Sequence, residues 1–145
     1  MNIIRRLKNG SVQRAKINMI LYFFIQSLLT ILVFMAWIML GEFSGGEVGM
    51  TPLTVLITIS IQFVLASITY LAIKKISKLN PLIILIFYMM LYEIIFYIFT
   101  GNFALANIFN EAFSGAIYRG YSFSSIIAGF ITLILLYFFK VRKKA

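Results

Sequence analysis

Four long runs of apolar residues, separated by short polar stretches that carry glycine or proline, organise this chain. They cover about 17–40, 53–73, 82–100 and 122–139. Each is close to the ~20 residues that an α-helix needs to cross a ~30 Å hydrocarbon core. The first is longer than the core at ~1.5 Å per residue and can tilt. The fourth starts weakly, because Ser122, Ser124 and Ser125 dilute it. The runs are continuously apolar and do not alternate, so helices are expected and the strands of a barrel are not. The pattern predicts an all-α integral membrane protein. It is a single four-span domain over 1–145, an up-down bundle of four transmembrane helices.

The punctuation fits this plan. Gly41 and the Gly45-Gly46 pair mark the first outer turn, and Pro52 is expected in the first turn of the second helix, where its missing N–H costs little. Asn80-Pro81 opens the third helix in the same way. The stretch 101–121 is unlike the other connections. Phe103, Ala106, Phe109, Phe113, Ala116 and Ile117 recur near helical spacing, with Asn107, Asn110, Glu111 and Ser114 on the other face. This reads as an amphipathic segment lying in the outer interface or dipping in re-entrantly, too short and polar to span. Gly115 and Gly120 permit a bend, and Glu111 and Arg119 are placed to pair. Long connections of this kind often carry function, which makes Phe109, Glu111 and Arg119 the expected outer contact residues.

Charge adds an orientation. Of the 13 Lys and Arg, all but Arg119 fall before the first run, between the second and third, or after the fourth. An even number of spans puts those three clusters on one side, and the positive-inside rule makes it the cytoplasmic side, with both termini there. Glu42, Glu47, Glu111 and Arg119 are left outside. The net charge of +9 is thereby a topological signal; it implies contact with anionic lipid at the cytoplasmic face and gives no reason to expect nucleic acid. The basic start followed by an apolar run resembles a signal peptide in outline. The run is too long for a cleavable segment and no small-residue cleavage site follows, so it reads as a retained signal-anchor. The residues before it either lie on the inner surface through Ile3, Ile4 and Leu7 or form a solvated basic tail. A plasma membrane is the expected location.

Composition narrows the chemistry. Hydrophobic residues make up 62% of the 145, far above a soluble domain, and there is no Cys and no His. The four acidic residues are Glu42, Glu47, Glu93 and Glu111, so Asp is absent. Thiol redox chemistry, histidine-ligated metals, Ser-His pairs and aspartyl dyads are excluded by these absences. No enzyme activity, cofactor or metal site is expected.

One acid is out of place for a spanning segment. Glu93 sits deep in the third run, where a carboxylate costs roughly 2.5–3.5 kcal/mol on insertion scales and marks a functional site by default. Gln62 in the second run lies at a similar depth, so a Glu93–Gln62 hydrogen bond across the hairpin is expected. Gln26 lies in the first run, with Tyr92 and Tyr97 beside Glu93. These five form a candidate ion or substrate path or, alternatively, a polar core that fixes helix packing. Small and polar stripes at helical spacing accompany them: Asn18, Tyr22, Gln26 and Thr30; Thr54, Thr58, Gln62, Ala66 and Thr69; and Ser125 with Gly129, flanked by Ala128 and Thr132.

Two functions survive. The first is an oligomeric channel or transport-type bundle with Glu93 in its path, since four helices from one chain enclose little space. The second is a non-transporting accessory or sensor subunit, of complex-assembly, immunity or defence type, acting through a partner protein. The expected assembly is a homo-oligomer or a hetero-complex.

Overall fold

The computed structural model describes residues 2–41, 46–74, 80–109 and 113–142, with side chains over 19–41, 49–74, 80–106, 108–109 and 116–139. Four helices follow one another: α1 (Asn2–Leu40), α2 (Gly46–Ile73), α3 (Pro81–Thr100) and α4 (Phe113–Arg142). One 3-10 turn, Leu105–Asn107, lies between the last two. Each helix contains a stretch long and apolar enough to cross a membrane: Met19–Leu40, Gly49–Ile73, Pro81–Thr100 and Ala116–Phe139.

The distribution of side chains is the reverse of a water-soluble bundle. Leu21, Phe24, Leu28 and Leu32 of α1, Val64 and Ile68 of α2, Phe87 and Ile98 of α3, and Phe130 and Ile134 of α4 all face outward. Gln26, Thr30, Thr58, Gln62, Ser124, Ser125 and Thr132 are buried within. Hydrocarbon solvates the first set and penalises the second unless neighbouring helices receive it. The described residues are all-helical apart from the connections, and the four apolar helices fit a small polytopic membrane protein.

The boundaries depart from the sequence pattern in three places. α1 is continuous over 39 residues, about 58 Å at the standard rise, so the basic stretch before Met19 prolongs the spanning helix. α2 begins at Gly46, which puts Pro52 inside the helix and not in its first turn. Pro52 has no N–H for the Val48 carbonyl; nearby, the Tyr121 hydroxyl donates to the Thr51 carbonyl (3.4 Å), so α4 braces this part of α2. α4 begins at Phe113, so 101–121 is not one separate amphipathic element. Its first part is a short folded-back connection, and its last part is the start of the spanning helix. The cause is register: Ile117, Tyr121, Ser124, Ser125 and Ala128 form one buried stripe at three- and four-residue spacing. The serines that dilute the run in sequence therefore face inward, and Ser124 donates its hydroxyl to the Tyr121 carbonyl of its own helix (2.9 Å).

α3 is punctuated as its sequence implies. The Asn80 side chain accepts from the Leu82 N–H (3.2 Å), Pro81 follows, and Gly101 closes the helix at φ 72°, a left-handed conformation that suits glycine. The helices pack as a closed ring in chain order. α1 and α4 share the most extensive interface, and α3 and α4 the least extensive of the adjacent pairs. Gly120 lets α4 approach Trp37, whose indole Nε1 donates to the Ala116 carbonyl (3.3 Å). Gly129 in turn seats the Met89 side chain against α4.

Inside the ring, two aromatic clusters bracket a polar layer. In the cluster on the expected outer side Phe34 stacks on Tyr121 (4.8 Å between centroids), and Phe96 packs on Tyr121 at a tilt (4.5 Å). In the inner cluster Phe23 stacks on Tyr88 (4.6 Å) and meets Tyr70 edge-on (6.1 Å). Between them, by position along the antiparallel helices, lie Gln26, Thr30, Gln62, Ala128 and Thr132, with Thr58 level with Val55 and Ile59 of the first cluster, all buried. Thr30, Thr58 and Thr132 each return a hydroxyl proton to the carbonyl four residues earlier, which satisfies them without leaving their own helix.

Candidate functional site

The faces of α3 determine where its polar residues go. Leu85, Tyr88, Tyr92, Ile95 and Phe96 are its buried stripe. Glu93, one residue past Tyr92 and so about 100° around the helix, turns off that stripe toward α4. It shares its own face with Ile86, Met89 and Met90, at the spacings that bring helix residues side by side. Opposite stand Ser125, Ile126, Phe130 and Leu133 of α4. Between the two rows, where the bundle is least tightly closed, runs a side groove of about 490 Å³. Phe103 and Leu105 of the folded-back connection line it together with Glu93.

Glu93 is half-buried, not fully buried. Its Oε2 accepts the Leu105 N–H (3.3 Å), and the Ala104 N–H and the Ser122 hydroxyl lie beside the carboxylate. The expected Glu93–Gln62 bond does not form: the Gln62 amide Nε2 donates to the Tyr88 carbonyl (2.6 Å). The physical reason is angular. Gln62 faces the bundle interior, while Glu93 sits on the neighbouring face of α3 and reaches the connection that follows its own helix. Ser122 is fully buried, and its Oγ meets no partner in hydrogen-bond geometry although it faces Glu93.

The other sequence candidates scatter. Gln26 and Gln62 are buried in the central polar layer, and Gln26 Oε1 is buried without a hydrogen-bond partner. Tyr92 is fully buried in the outer cluster, its hydroxyl beside Ser124 but likewise unpartnered. Tyr97 faces outward and stacks on Phe103 (4.4 Å). Glu93 and Tyr97 both meet the connection, at Leu105 and Phe103, whereas Gln26, Gln62 and Tyr92 belong to the packed interior. Phe109 is 91% exposed, and Arg119 Nη1 donates to the Ile108 carbonyl (3.3 Å). Glu111, and with it the expected Glu111–Arg119 pair, lies outside the described residues.

Tyr88, absent from the sequence-derived site, joins three helices. The Tyr88 hydroxyl donates to the Phe23 carbonyl (3.3 Å) and, having one proton, receives that of Ser27 (2.5 Å). Its backbone carbonyl takes the Gln62 amide, so Tyr88 links α1, α2 and α3. Its spacing of four from Tyr92, on one face, was the available signal. Phe103 and Leu105 were also missed as groove residues, because nothing in their spacing shows that the chain folds back beside α3.

Chemically, the groove offers an apolar surface with one carboxylate. Among the described residues no three metal-ligating side chains converge. No family model, curated protein or solved structure matches this chain.

Proposed function

We propose that this polytopic membrane protein is of the transport type and takes its ligand sideways from the bilayer, at the α3–α4 groove with Glu93 as its polar contact. One observation carries the reading. The interior is filled by Phe23, Phe34, Tyr88, Tyr92 and Phe96, all nearly fully buried, whereas a groove of about 490 Å³ opens at the side, beside the carboxylate. A route through the middle of one chain would have to displace that aromatic packing. A path for an ion in the channel sense would therefore run between copies in a homo-oligomer. The orientation that accompanies this reading has both termini on the cytoplasmic side of a plasma membrane, with the basic clusters at anionic lipid.

The test is uptake of hydrophobic dyes, one each cationic, neutral and anionic, into proteoliposomes containing the protein. At least one dye should enter faster than into protein-free vesicles, and Glu93→Gln should slow it several-fold while leaving helix content and oligomeric state unchanged. Equal rates for all three dyes with and without protein, or no effect of Glu93→Gln, would remove this reading.

A second reading is favoured by Phe109. A phenylalanine that is 91% exposed, next to the Ile108 carbonyl held by Arg119, presents an apolar outer contact. It supports an accessory subunit that engages a partner protein from the outer side. Phe109→Ala would then release a partner that co-purifies in mild detergent, with dye movement untouched.

A further inference from the structure

We infer that the α3–α4 groove binds a lipophilic monocation, an amine or quaternary ammonium whose charge seats at Glu93 under Phe103–Leu105 and whose apolar body lies along Met90 and Phe130. This rests on the groove being the working site and names the ligand class it takes.

The size suits a small amphiphile: about 490 Å³ falls within the range of ligand pockets. The walls are apolar, and Met89 and Met90 supply soft, adaptable surface. Within this wall Glu93 is the one charged group. A carboxylate accepts about four hydrogen bonds. Here the Leu105 N–H takes one position at 3.3 Å, longer than the ~2.7–2.9 Å of a charge-assisted bond. Beside it the fully buried Ser122 Oγ is left without a partner. With the Leu105 and Ala104 N–H groups and the Ser122 hydroxyl beside it, the carboxylate still has acceptor capacity on the groove side, in a medium of low dielectric where an added cation is bound most strongly.

The occupant follows from depth. Glu93 lies seven residues below Thr100, about 10 Å along α3 from its outer end. A phospholipid ammonium sits in the headgroup layer and would have to drag its phosphate down that distance. A second copy of this chain carries no Lys or Arg in its spans deeper than Arg119, which is near the outer end of α4. A free monocation with an apolar body meets neither obstacle.

The experiment measures binding of dodecyltrimethylammonium, and of neutral dodecanol as its control, to the full chain in nanodiscs of uncharged galactolipid. The cation should bind about tenfold or more tighter than dodecanol, and Glu93→Gln should abolish that advantage. Equal binding of the two probes, or an advantage that survives Glu93→Gln, overturns the proposal. Phe130 is 60% exposed, so Phe130→Ala leaves folding intact even where Glu93→Gln does not; it should weaken both probes, and wild-type affinity there refutes the location. Repeating the titration in phosphatidylcholine discs separates the ligand sources. Unchanged affinity supports a free cation, and strong competition by the lipid makes a choline headgroup the occupant and overturns the claim. Tight, Glu93-dependent binding without dye uptake would retain this inference and remove the transport reading alone.

Discussion

Gly120 and Gly129 lie in the same helix, and intrinsic propensity treats them alike. Replacing either by Ala should favour the helix by about 1 kcal/mol. The packing separates them. A Cβ on Gly120 would stand 2.6 Å from Trp37 Cδ1, 3.0 Å from its Nε1 and 3.3 Å from Phe34 Cε2. The indole is a rigid plate, pinned by its bond to the Ala116 carbonyl and packed against Phe123. Displacing it costs on the order of 1–3 kcal/mol as an overpacked contact. The net expectation for Gly120→Ala is a loss of about 1 kcal/mol, with the range set by how far Trp37 can retreat. At Gly129 the added Cβ meets Met89 Sδ at 2.5 Å and Cε at 2.6 Å. Those atoms end a flexible, unbranched side chain that borders an open groove and can rotate into it. Gly129→Ala should therefore be neutral or mildly stabilising. Unfolding by an increasing mole fraction of dodecyl sulfate in mild-detergent micelles, followed by circular dichroism, measures both. Trp37 is the single tryptophan, so its emission reports independently whether the indole has moved. In a double-mutant cycle, Trp37→Phe should relieve most of the Gly120→Ala penalty. If Gly120→Ala proves as stable as Gly129→Ala, the close approach of α1 and α4 argued above is wrong.

Gly101→Ala meets nothing within 4 Å, yet its φ of 72° should make it destabilising by about 1 kcal/mol; the same micelle assay reads this, and no loss would mean the α3 terminus is not left-handed. Tyr88→Phe removes both the bond to Phe23 and the bond from Ser27, and interhelical bonds in membranes average about 0.6 kcal/mol with a maximum near 1.7. Its expected loss is in that range, whereas Ser27→Ala should cost less because the Phe23 carbonyl bond remains. Because the chain has no cysteine, single cysteines report topology directly. A membrane-impermeant maleimide should label Asn102→Cys in intact cells and spare Asn2→Cys until the membrane is opened, and the reverse pattern would invert the proposed orientation.

What the sequence determined by itself was the number and approximate extent of the helices long and apolar enough to cross a membrane. Four continuous apolar runs of bilayer length leave little choice of secondary structure, because backbone groups in hydrocarbon must pair within their own segment. Local signals such as Asn80-Pro81 and Gly101 are also readable one at a time, since a cap or a left-handed terminus involves only adjacent residues. Angular position around each helix and contact between helices needed the fold. Ser122, Ser124 and Ser125 weaken the fourth run as a hydropathy sum, but they are buried because α4 turns that stripe inward. Glu93 and Gln62 match in depth, yet one residue of helical rotation sends Glu93 to the α4 side, where it meets a connection that returns beside it. Hydropathy is a one-dimensional quantity and locates residues along the membrane normal. Which side chains meet depends on rotation and packing between helices, and those exist only once the bundle has closed.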